Sequence, residues 1–136
     1  MNAKEYLGQA FYMSRQIKTK QRKLDWLRDL APGPGVRFSD EPKAPGDPRV
    51  SVVENAAIRV MALEEEIASD IMKLVGLLKE IEATIRAVDS LEYRTVLEMR
   101  YLSFMDWEEI TARMGYSKRY VFIIHRRALQ AVHVPG

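Results

Sequence analysis

The residues whose types and spacing could do chemistry lie near the C-terminus. From Ser117 to Val134 the chain carries Lys118, Arg119, Arg126 and Arg127 and neither Asp nor Glu. A short acid-free basic stretch is the electrostatic footprint of phosphate-backbone binding. A solvated helix face is the plain alternative, and charge alone does not separate the two. Signs of catalysis are missing. There is no phosphate-binding glycine loop and no nucleophile elbow, and the chain has no cysteine, which removes thiolate zinc sites, disulfides and cysteine nucleophiles. His125 and His133 stand eight residues apart with no flanking ligand pattern. Glu64-Glu65-Glu66 reads as a solvated helix turn. The expectation is a non-enzyme without metal or cofactor.

The elements that must position the basic stretch follow from composition and periodicity. With 136 residues, 47% hydrophobic and 29% charged, the chain fits one domain, or two small helical parts sharing a core. The net charge of +2 is unevenly spread: +4 over residues 1–30, −4 over 51–90 and +2 over 91–136. The opening MNAKEYLGQAFYMSRQ lacks a signal-peptide core, and no apolar run is long enough for a membrane span. A cytoplasmic protein is expected.

Segment 3–30 reads as helix, with Leu7, Ala10, Ile17, Leu24 and Leu27 at three- and four-residue steps and Asn2 with Glu5 as its cap. Pro32-Gly33-Pro34-Gly35 stops it. Residues 31–50 hold five prolines and three glycines, which suggests a disordered connector or a partner-contacting segment. Ser51 with Glu54 then predicts the cap of a helix over 52–88. Its apolar stripe (Val53, Ala56, Val60, Leu63, Ile67, Leu74, Leu77, Ile81 and Val88) keeps a heptad step interrupted by Asp70 and Thr84. The first helix can fold back and cover about three quarters of that stripe. Ile81, Ile85 and Val88 are then left to pack on the C-terminal part or on another protomer, which motivates a homo-oligomer through the helical hairpin.

Three short helices are expected after residue 89. Asp89 with Glu92 predicts a cap for Leu91–Leu102; Asp106 with Glu109 caps Trp107–Met114; Gly115 breaks that helix, and Ser117 caps Lys118 to about Ala131. A two-turn helix, a glycine turn and a longer basic helix follow the helix-turn-helix grammar. Ile110, Met114, Tyr116, Val121 and Ile124 occupy the inward offsets, while Thr111 stands where a close crossing favours alanine. The fold class is therefore all-α: a long antiparallel, coiled-coil-like hairpin over 1–88, then a three-helix helix-turn-helix over 89–136.

On the last helix Val121, Ile124 and Ala128 define the inward side, and at ~100° per residue Arg119 and Arg126 fall opposite. Phe122 and Ile123 flank that outward line. In a major groove the arginines can read guanine and the apolar pair a thymine methyl; the structural alternative for Phe122 and Ile123 is packing against the long helix or another protomer. Arg113, Lys118 and Arg127 are placed for phosphates, and Tyr120 suits either role. His125, beside the inward side, reads as structural.

The run YRTVLEMRYLSFMDWEEITARMGYSKRYVFIIHRRAL resembles the fourth region of bacterial sigma factors, with its Leu-Arg-Tyr-like helix, Trp-Glu-Glu-Ile helix, Gly, Ser cap and Arg-Ala-Leu ending. The whole layout, with AKEYL at the start and a Pro-rich loop before a long helix, resembles the ArpU and RinA type of late transcriptional regulators from phages and prophages of Gram-positive bacteria. Thr111 departs from the alanine of the pattern, and no other sigma region is present, so promoter melting is not implied. The resemblance implies a sequence-specific DNA-binding regulator, a late-gene activator acting at a promoter with host RNA polymerase, with DNA contacts at Arg113, Ser117, Lys118, Arg119, Tyr120, Phe122, Ile123, Arg126 and Arg127. Two other classes share the layout. A phage packaging component of the small-terminase kind would form ring-shaped oligomers, and a helical interaction protein would leave Arg119 and Arg126 without a purpose.

Overall fold

The computed structural model describes residues 1–30 and 48–136, with side chains from residue 54 onward in the second stretch. All regular structure in these residues is helical: α1 (Ala3–Leu30), α2 (Pro48–Arg86), α3 (Leu91–Leu97) continued by a π-helical turn (Glu98–Leu102), α4 (Trp107–Met114) and α5 (Lys118–Ala131). No helix among them is long and apolar enough to cross a membrane.

Asn2 opens α1, its Oδ1 accepting the Glu5 amide at 2.8 Å while its side-chain amide donates to Glu5 Oε1 at 3.1 Å. The connector expected over 31–50 falls mostly on residues 31–47, outside the described residues. Residues 48–50 are helical, so α2 begins earlier than its expected Ser51 cap. Proline suits a first helical position because its ring presets φ and its missing N–H would have lacked a partner there.

Two compact units emerge. One joins residues 1–14 with 73–136, the other comprises residues 15–72. In the first unit Tyr6, Leu7 and Ala10 of α1 share one core with Ile81 and Ile85 of α2, Val96 and Leu97 of α3, Ile110 of α4, and Val121, Ile124 and Ala128 of α5. Ile81 and Ile85 are wholly buried and Val88 nearly so. The apolar end of the long helix is consumed inside the chain, which removes the reason for assigning it to another protomer. Each such aliphatic side chain contributes roughly 1.5–3 kcal/mol through burial.

In the second unit Ile17, Leu24 and Leu27 are buried, as are Ala56, Leu63 and Ile67. Lys20 Nζ bridges Glu66 at 2.7 Å and Asp70 at 2.5 Å, and Arg28 pairs with Glu64 at 2.9 Å. Partners descend along α2 as α1 ascends, so these two segments run antiparallel. Asp70, which interrupts the heptad pattern, is accounted for by Lys20. Thr84, the other interruption, sits in the first unit, its Oγ1 3.5 Å from the Tyr6 hydroxyl.

Two helix ends differ from expectation. Ser90, not Asp89, caps α3: its Oγ accepts the Tyr93 amide at 3.3 Å, and the backbone at Ser90 is extended. The helix expected over Leu91–Leu102 is α-helical only to Leu97. It then widens, with the Ser103 amide bonding to the Glu98 carbonyl at 3.0 Å. Phe104 follows with φ +55°, in the left-handed region that a non-glycine side chain rarely adopts. This kinked passage delivers Asp106 to the start of α4.

Candidate nucleic-acid interface

Local chemistry fixes α4 and α5. Asp106 has an extended backbone, and its Oδ1 accepts the Glu109 amide at 2.8 Å. α4 ends at Gly115, whose φ of +72° is the left-handed closure that glycine adopts without steric cost, and its amide bonds to the Thr111 carbonyl at 3.0 Å. After the turn, Ser117 Oγ accepts the Tyr120 amide at 3.2 Å and opens α5. Both caps and the break fall on the residues that the sequence indicated, because each is decided within four residues.

Packing then fixes which side of α5 is free. Val121, Ile124, His125 and Ala128 are buried, and α5 lies across α3 and α4. Arg119 and Arg126 are exposed on the other side and Arg127 at its edge, and none of the three meets a carboxylate among the described residues. Lys118, Arg119, Phe122, Ile123 and Arg126 line one open groove. Five of the nine residues singled out from sequence are thereby brought together.

The remaining four stand at its margins. Arg113 on α4 is exposed and pairs with Glu109 at 3.3 Å, one turn away. Ser117 uses its hydroxyl for the helix cap. The Tyr120 ring meets Tyr116 edge-on at 4.9 Å. Arg127 is exposed beyond the groove edge.

Of the five residues expected to face inward, Ile110, Val121 and Ile124 are buried, and Met114 packs against the core from a half-buried position. Tyr116 does not. It is 40% exposed, and its hydroxyl donates to Glu92 at 3.0 Å, which raises the phenol's pKa. Thr111, at the alanine position of the pattern, carries a buried Oγ1 without a hydrogen-bond partner.

Sequence reasoning overlooked Trp107. Its indole meets the Phe122 ring at 5.0 Å and the His125 imidazole at 4.6 Å, both edge-on, and the Arg100 guanidinium lies over it at 4.6 Å. Phe122 is thus held on one side by α4 while 41% of its surface stays open. The Lys118 ammonium sits 6.0 Å from its ring centre, at the outer limit of a cation–π contact. Behind the helix, His125 Nε2 lies 2.7 Å from the Tyr101 hydroxyl. Burial, reinforced by the Lys4 and Arg100 charges, lowers the imidazole's pKa to about 4, and burial pushes the phenol up to about 12. At neutral pH they form an uncharged internal support.

The described residues contain no cluster of metal-ligating side chains. The arrangement suits a polyanion: a positive, acid-free ridge with an aromatic and an aliphatic side chain at its centre, on a helix anchored along its opposite side.

Residues 49–133 match a family described as protein of unknown function, DUF1492, and the chain belongs to that family. No curated protein and no solved structure matches the chain.

Proposed function

We propose that this protein is a sequence-specific DNA-binding transcription regulator, with α4, the Gly115 turn and α5 forming a helix-turn-helix and α5 serving as recognition helix. On this reading it is a late-gene activator of the ArpU and RinA type from a phage or prophage, its C-terminal helices are sigma-region-four-like, and host RNA polymerase is its partner at the promoter. The preceding long helices form a hairpin on which the DNA-binding part is carried.

One observation carries the reading. α5 buries Val121, Ile124 and Ala128 and presents Arg119 and Arg126, unopposed by any described carboxylate, on a groove with Phe122 and Ile123. A solvated face selected only for solubility gains nothing from gathering two large apolar side chains between two arginines. In a major groove each has work: arginine forms two hydrogen bonds to guanine, and an apolar side chain meets the thymine methyl. Lys118 and Arg127 reach phosphates at the margins, and the Arg113–Glu109 pair, being exposed and weak, can exchange its carboxylate for a phosphate at little cost.

Selection from a pool of random duplexes tests this. The protein should enrich one sequence, bind it at least ~10³-fold tighter than scrambled duplex, and lose affinity steeply with salt. Failure to enrich any sequence would overturn the reading.

A further inference from the structure

α2 has a second apolar line that stays exposed among the described residues. Ile58, Met61 and Met72 are 65%, 68% and 71% exposed, and Val75 is 41% exposed. With Ala68 they keep the alternating three- and four-residue step of a coiled-coil seam, and that line lies about 150° around the helix from Ala56, Leu63 and Ile67. The same step reaches Glu65 in the middle and Glu54 and Lys79 at the two ends, all exposed. Neither Glu54 nor Lys79 has an ion partner among the described residues.

We propose that this seam pairs with α2 of a second copy of the chain, running antiparallel, in a register where position numbers of facing residues sum to 133. Large residues then face large ones: Ile58 meets Val75 of the partner copy, and Met61 meets Met72. Glu65, which would spoil an apolar seam, meets the small Ala68. At the ends Glu54 meets Lys79, twice by symmetry. A parallel pairing sets Glu54, Glu65 and Lys79 each against its own copy, three like-charge contacts that disfavour it. The charges thus choose both the orientation and the register, and the partner they fit is the same helix reversed. The inference does not depend on DNA binding. It also moves any self-association away from Ile81 and Ile85, which are buried within the chain.

Light scattering from low to high micromolar concentration should show the 15.7 kDa chain passing to a species of twice that mass. Ile58→Glu with Met72→Glu should abolish the dimer while leaving the circular dichroism spectrum intact, because both side chains are exposed. Glu54→Lys should weaken dimerisation about tenfold, since two symmetric pairs are lost, and adding Lys79→Glu should restore it. The chain has no cysteine, so engineered ones report register directly. Met61→Cys together with Met72→Cys should form an intermolecular disulfide under mild oxidation, and neither change alone should do so. A wild-type chain that stays monomeric throughout, a dimer indifferent to the charge exchange, or efficient cross-linking by Met61→Cys alone would each overturn the proposal.

Discussion

The Tyr101 hydroxyl and His125 Nε2 lie 2.7 Å apart beneath the helix that presents the basic ridge. Trp107 closes over the imidazole from α4 and touches Phe122 with the same ring system, so the buried pair and the exposed groove share one support.

The pair gives the fold a definite acid sensitivity. His125 titrates near 4 when folded, against an ordinary value of 6.5, so the unfolded chain takes up a proton between these values that the native state refuses. The resulting stability is fully present above pH ~6.5 and is lost as pH falls towards 4. At pH ~4.5 the loss from this one group should be about 2–3 kcal/mol. Urea midpoints at neutral and acidic pH, for wild type and His125→Gln, check it: the variant should show the shallower pH dependence, and parallel curves would contradict a buried neutral imidazole.

Thr111 offers a test with the opposite sign. Its Oγ1 is buried without a partner, and leaving a hydroxyl unsatisfied costs about 1–3 kcal/mol. Thr111→Ala removes that cost and substitutes a better helix former, at the expense of one methyl group. The net gain should be about 1 kcal/mol in chemical denaturation. A destabilised variant would contradict it.

Local features of the sequence were legible and non-local ones were not. Asp106, Gly115 and Ser117 could be assigned because a cap or a left-handed break is decided by neighbouring residues. Ile110, Val121 and Ile124 could be read as inward from helical periodicity, and the same wheel set Arg119 and Arg126 on the free side. Tyr116 was misplaced because its hydroxyl is claimed by Glu92, 24 residues away, which no local pattern records. The destination of Ile81 and Ile85 depended on where the first turns of α1 pack, again a tertiary matter. The widened turn at Glu98–Leu102 has no repeat of its own, and the Trp107–Phe122 contact joins two helices across the break.

The most direct measurement of the central claim compares Arg119→Ala with Lys118→Ala by fluorescence anisotropy, on the selected duplex and on a scrambled one, over a range of salt. Arg119 stands on the outward line of α5, and Lys118 at its margin beside the Phe122 ring. If α5 enters the major groove, Arg119→Ala should cost about 1–3 kcal/mol on the selected duplex and relax preference at one base pair. Lys118→Ala should weaken binding to both duplexes alike and make the slope of log affinity against log salt shallower by about one. If both variants bind every duplex as the wild type does, α5 is not a recognition helix and the regulator account fails.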